Sequence, residues 1–182
     1  MISTEALRQL TRYAAARIVS AFDPSALVQP VDDLRSKLEE PHKGFYLGIT
    51  DSQGELAREG FLREDQKNAL DSFDQVVNPL ISQIRASSLD LQRLKLAQFH
   101  VTVVREVNYM PDPLRWDQSK DGVFFQWGQD YRSILLPYQI ARLNMTQTDV
   151  LDRLCQSSGL ACSLWRLPEG LVWKLTCQSY SS

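Results

Sequence analysis

The sequence predicts an α+β fold: a mixed, largely antiparallel sheet with flanking helices, in one compact domain with room for two lobes. Three observations carry this. Segments of helical and of strand periodicity are interspersed without a regular βαβ rhythm, which disfavours a doubly wound parallel sheet. Strand-like runs lie next to each other across short clusters of turn formers, as in antiparallel hairpins. The chain has 182 residues, 43% of them hydrophobic, enough to bury roughly 70% of the unfolded surface without covalent staples.

The first element is a helix over residues 4–22. Leu7, Leu10, Ala14, Ile18 and Ala21 with Phe22 recur at helical spacing, Ser3 or Thr4 is available as N-cap, and Pro24 follows the last turn. Residues 23–43 hold Pro24, Pro30 and Pro41 and read as a connection, with a short helical run from Asp32 to Glu39. "GFYLGIT" (44–50), the turn formers "DSQG" and a second run from Glu55 to Leu62 read as a hairpin. Leu70, Phe73 and Val77 have helical spacing. Asn78 and Pro79 then read as the N-cap and first residue of a new helix that turns Leu80, Ile81 and Ile84 inward.

"AQFHVTVVREV" (97–107) reads as a strand with Phe99, Val101 and Val103 on one face and His100, Thr102 and Val104 on the other. "GVFFQWG" and "YRSILLP" are two further strands, and a short helix begins near Tyr138. A helix from Thr148 to Ser158 turns Val150, Leu151, Leu154 and Cys155 inward and ends at Gly159. In the last strand, "LVWKLTC", Leu171, Trp173, Leu175 and Cys177 form the expected apolar face. There is no internal repeat.

Composition narrows the function classes. Charged residues are 23% and aromatic residues 9% of the chain, which argues for a folded rather than a disordered protein. The formal charge is −2, from 20 Lys and Arg against 22 Asp and Glu, so no general positive field attracts a phosphate backbone and nucleic acid is not an expected partner. Arg8, Arg12 and Arg17 read as a solvated helix face. Cys155, Cys162 and Cys177 suggest neither a disulfide framework nor a zinc ribbon, and the expected compartment is the reducing cytoplasm. No signal peptide or membrane span is expected.

Motifs for catalysis are sparse. His42 and His100 are the two histidines, a set that needs other ligands to make a metal site, and neither a metal nor a cofactor is expected. The sequence has no nucleophile elbow, phosphate-binding loop or dinucleotide fingerprint. Cys155 and Cys177 read as small hydrophobes on apolar faces. Arg58 and Glu59 are adjacent, so in an extended strand they point to opposite faces, while Gly60 relieves backbone crowding.

The C-terminal half resembles the AMMECR family. The residues that carry this are Gly122, Gly128, Leu135, Leu136, Pro137, Leu154, Cys155, Gly159 and Leu160, with Tyr138 interposed before Gln139. The opening helix, the proline-containing connection and "GFYLGITDSQGEL" extend the resemblance over nearly the whole chain. The hallmark Leu-Arg-Gly-Cys-Ile-Gly run is replaced by Leu56, Ala57, Arg58, Glu59, Gly60, Phe61 and Leu62, without its cysteine. The Asp-Pro-Arg-Phe-Pro-Pro segment is replaced by "SSLDLQRLKLAQ".

The chain is therefore identified as a divergent member: a single AMMECR-like domain over 1–182, with a smaller lobe placed within 23–80. The resemblance implies a two-lobed α+β domain with a cleft lined in part by the hallmark run, and no established reaction. It also implies an association with Memo-like and radical SAM proteins in microbes. The expected function is a binding or accessory domain acting with another protein. The alternative is a small-molecule enzyme whose cleft uses Arg58, Glu59, Gly60, Arg132 and Gln139, with arginine as anion clamp and glutamate as general base.

Overall fold

The computed structural model describes residues 1–28, 33–87 and 89–182, with residues 64 and 65 described by their backbone alone. The fold is α+β. Among the described residues six strands follow the order β2-β1-β3-β6-β4-β5, and the pairings β1·β2, β4·β5 and β4·β6 are antiparallel. The chain forms two compact units, Met1–Val103 with Gln178–Ser182, and Val104–Cys177.

In the first unit, α1 (Thr4–Ser20) starts where the Ser3 side chain accepts from the Ala6 amide at 3.1 Å. Its stripe of Leu7, Leu10, Ala14 and Ile18 is buried. After α2 (Leu34–Lys37), β1 (Glu39–Thr50) and β2 (Glu55–Asn68) form the expected hairpin, both longer than "GFYLGIT" and "ELAREGFL" suggest. The expected helical run from Asp32 begins outside the described residues. Pro41, which cannot donate to a ladder, sits where the β1·β2 register shifts between Glu39 and His42. The turn closes through Asp51, whose Oδ1 accepts from the amides of Gln53 and Gly54 at 2.8 and 3.1 Å.

One helix, α3 (Ala69–Ala86), replaces the two expected on either side of Asn78. Its N-cap is Asn68, whose side chain accepts from the Leu70 amide at 2.9 Å, and Pro79 lies inside it. The reason is the continuous inward stripe of Leu70, Phe73, Val76, Val77, Leu80, Ile81 and Ile84. Pro79 is on the exposed face, where the carbonyl it leaves without a donor is open to water. Phe73 is fully buried, about 2–3 kcal/mol of apolar transfer from one side chain. A short helix, α4 (Leu91–Leu96), capped by Asp90, precedes β3 (Gln98–Tyr109), which is buried on both faces from Phe99 to Val104.

In the second unit, β4 (Asp121–Trp127) and β5 (Tyr131–Leu135) form a hairpin in which Gly128 has φ 59°. Helix α5 (Pro137–Leu143) begins at a proline, as helices readily do. Helix α6 (Gln147–Ser157) turns Val150, Leu151, Leu154 and Cys155 fully inward and is followed by Gly159 at φ 76°.

The last strand, β6 (Gly170–Ser181), departs from the expected facing. Val172 and Leu175 are buried, while Leu171, Trp173 and Cys177 are only partly so. Pairing sets this: Val172 lies opposite the fully buried Phe125, and Trp173 opposite Phe124, so Trp173 meets the Phe124 ring on the other sheet face, centroids 5.2 Å apart and planes tilted by 41°.

Candidate functional site

The pairing of β1 and β2 fixes where the expected cleft residues point, because directly opposed residues share a sheet face. Glu59 lies opposite Leu47, a fully buried core residue, and Arg58 opposite Gly48. Glu59 is therefore on the face that carries α3. Its Oε2 accepts from Gln83 Nε2 at 3.4 Å, and its Oε1 from the Gly60 amide at 3.0 Å.

Arg58 is on the other face, with Nε 3.8 Å from Glu55 Oε1. Gly60 shares that face and lies opposite Tyr46. A Cβ on Gly60 would stand 2.2 Å from Tyr46 Cδ1 and 2.5 Å from the Phe45 carbonyl oxygen. The glycine is required by close approach, not by an unusual backbone angle.

Arg132 and Gln139 belong to the second unit, whereas Arg58, Glu59 and Gly60 belong to the first. Arg132 is exposed on β5, opposite Gln126. Gln139 holds the start of α5, its Oε1 accepting from the Leu136 amide at 2.9 Å.

Both histidines are buried between hydrogen-bonding partners. His42 Nδ1 is 3.0 Å from the Glu40 carbonyl oxygen, so it carries the proton. Nε2 lies 2.8 Å from Ser72 Oγ. His100 Nε2 is 2.8 Å from Thr50 Oγ1 and its Nδ1 is 2.7 Å from Ser181 Oγ. At 4% exposure the ring ties β1, β3 and β6 together and is closed to a substrate. These hydroxyl partners lie 30 to 81 residues away in sequence, so no local motif announces them. Among the described residues, no group of three or more His, Cys, Asp or Glu is placed to hold a metal ion.

The thiols are poor nucleophiles where they are buried. Burial pushes the Cys177 thiol up to about 12, and burial also raises that of Cys155.

The second unit carries the most distinctive surface. Tyr109, which ends β3, and Met110 and Pro111 after it line two hollows. The larger, about 440 Å³, is walled further by Trp165, Leu167 and Pro168. The smaller, about 250 Å³, reaches Asp112, Arg115 and Lys174. Tyr109 is 54% and Leu167 47% exposed, a large apolar presence for side chains lining one surface.

The walls are held rigidly. The Tyr109 ring meets Trp173 edge-on at 6.1 Å, and the Trp165 indole donates to Asp152 Oδ1 at 2.7 Å, with the Arg166 guanidinium 4.2 Å above its ring. Among the described residues of the first unit the main hollow is a groove of about 640 Å³ along α1. There Glu5 and Asp33 already pair with Arg8 and Lys37.

Fold and surface together define an α+β protein of two compact units, with a ligand-sized aromatic groove in the second. A family model described as AMMECR1 matches residues 13–179, and the chain belongs to that family. The resemblance carried by its glycines and the Leu135-Leu136-Pro137 run is thereby borne out.

The crystal structure of an uncharacterised protein from Pyrococcus horikoshii is similar, with a TM-score of 0.73 at 18% identity. The match covers 100% of this chain and 93% of that one. At this identity the likeness concerns the fold alone. No curated protein matches the chain. Among the described residues no helix is long and apolar enough to cross a membrane.

Proposed function

We propose that the chain is a binding or accessory domain that acts with another protein, engaging it through the aromatic groove of the second unit. The carrying observation is that the half-exposed Tyr109 lines both hollows and that the half-exposed Leu167 lines the larger. Aromatic and arginine side chains around a hollow are the composition of protein-binding hot spots, since they bury much area at little conformational cost. Arg58 and Glu59, in contrast, are divided between two faces of one strand pair and are engaged by Glu55, Gln83 and the Gly60 amide. A Memo-like or radical SAM protein is the first partner to try.

The test is quantitative capture from the source cell, comparing the wild type with Tyr109→Ala and Leu167→Asp. Both positions are about half exposed, so the variants keep their fold. A partner enriched by the wild type and lost with both variants supports the reading. Recovery of no protein above background, or equal recovery by all three baits, counts against it.

A further inference from the structure

Strand β2 stands at one end of the sheet order, so among the described residues no strand pairs with its outer edge. Such an edge carries a row of free backbone donors and acceptors, a template for another strand. The ladder with β1 is regular from Ala57 to Leu62, with register shifts at both ends. The Gly60 amide donates to the Glu59 carboxylate at 3.0 Å, so it points away from β1. Alternation along the strand turns the amides of Arg58 and Leu62 outward with it.

This edge is complementary to itself. When two copies of one strand pair antiparallel about a two-fold axis through Phe61, Gly60 stands opposite Leu62 of the second copy. Glu59 then stands opposite Arg63 of the second copy, and Glu55 opposite its Lys67. Outward-facing amides meet outward-facing carbonyls, and each carboxylate meets a cation. An axis through Glu59 would set that carboxylate against itself, and an axis through Gly60 would set it against Phe61.

The inner pair is free to form. Arg63 is exposed, and within its own chain it meets Gln75 Oε1 at 3.3 Å and the Phe61 ring at 5.0 Å rather than a carboxylate. Glu59 meets Gln83 and the Gly60 amide rather than a cation. Glu59 lies inside the regular stretch and Arg63 directly after it. The outer pair, Glu55 with the exposed Lys67, repeats the same pattern of signs.

We propose that β2 is the interface of a homodimer, in which two copies of the chain join antiparallel about Phe61 with two Glu59–Arg63 ion pairs flanking the axis. The Gly60 amide passes from Glu59 to the Leu62 carbonyl of the second copy, which releases the carboxylate for the arginine. The two Phe61 side chains meet on the axis, at a non-hydrogen-bonded position where opposed side chains approach most closely. A pairing this short buries little area, so the dimer forms at high protein concentration. It is independent of the groove in the second unit, and either reading can fail without the other.

Sedimentation velocity of the full chain between about 1 μM and about 1 mM tests this. The wild type passes from monomer to dimer within that range. Arg63→Glu and Glu59→Arg each place like charges opposite one another twice per dimer and raise the dissociation constant by about tenfold. Mixed in equal amounts, the two variants form a heterodimer whose opposed charges are again unlike, and association returns to the wild-type level. A wild type that stays monomeric throughout, a dimer indifferent to both substitutions, or variants that do not restore each other on mixing overturns the proposal. If Glu59→Arg loses its circular dichroism, the exposed Arg63→Glu variant decides alone: a weakened dimer supports the pairing and an unchanged one overturns it.

Discussion

Substitution of Gly60 by alanine tests the central claim about the hallmark strand, that β1 approaches β2 there too closely for any side chain. The added methyl would sit 2.2 Å from Cδ1 and 2.6 Å from Cγ of Tyr46, and 2.5 Å from the carbonyl oxygen of Phe45. Carbon atoms in contact prefer about 3.5–4.0 Å, so the ring must retreat by more than about 1 Å. The ring is only 8% exposed and the carbonyl is backbone, so neither yields freely.

The cost therefore belongs near the upper end of the overpacking range, about 2–3 kcal/mol. With a urea m-value of about 2 kcal/mol/M, the midpoint falls by about 1–1.5 M. Far-UV circular dichroism is the readout for the first unit, because all four tryptophans, at 116, 127, 165 and 173, lie in the second.

A Tyr46→Ala background removes the ring but leaves the Phe45 carbonyl, so the Gly60→Ala penalty there shrinks without vanishing. A midpoint shift below about 0.25 M for Gly60→Ala would refute the close-approach argument, since it would mean that the two strands separate at little cost.

Other outcomes follow from the same geometry. Of the three thiols, only exposed Cys162 reacts rapidly with a disulfide reagent in the folded protein, while buried Cys155 and part-buried Cys177, both with raised pKa values, react on unfolding. Two or more fast thiols by mass spectrometry would contradict that assignment. Lys95 and Ser25 hold the Asp23 carboxyl down from 3.8 to about 2. Because the folded pKa is the lower one, this contribution is present above 3.8 and is lost as pH falls through about 2. Asp23→Asn is accordingly less stable than the wild type at neutral pH and converges with it in acid; parallel urea midpoints across that window would exclude the linkage. Thr146→Ala removes the hydroxyl 3.3 Å from the Asp149 amide at the start of α6. It costs about 1 kcal/mol, read by tryptophan fluorescence, and an unchanged midpoint would show the cap to be idle.

What was legible in the sequence depended on how locally each feature is determined. Helices α1 and α6 could be read because a buried stripe and a capping residue occur together in fewer than twenty residues. The Asn78-Pro79 signal misled because it is equally local but weaker. Seven inward apolar side chains from Leu70 to Ile84 carry one helix through the proline on its exposed side. Helix α4 has one buried side chain, Leu94, and too few residues to show a period.

For β6 the alternation was present, but its facing is set by β4, through Phe125 opposite Val172. The aromatic groove was illegible for a related reason. Its walls come from the end of β3, the loop after it, the segment 165–170 and Lys174, and none of these contains a motif by itself.

The hallmark position gains a sharper meaning from the placement of the thiols. Cys155, Cys162 and Cys177 all lie within Val104–Cys177, so the unit that contains β2 has no cysteine at all. No thiol from within that unit can replace the one missing from the family run. The side chains standing there have other duties: Glu59 accepts from Gln83 and the Gly60 amide, Arg58 lies beside Glu55, and Gly60 admits the Tyr46 ring. The requirement that Gly60 meets is one of backbone spacing, which a fold needs whether or not the strand is catalytic. If chemistry had been retained at this strand, substituting Glu59 would abolish a reaction while leaving stability intact. If the strand has become structural, Glu59→Gln changes little and Gly60→Ala lowers the urea midpoint by about 1–1.5 M.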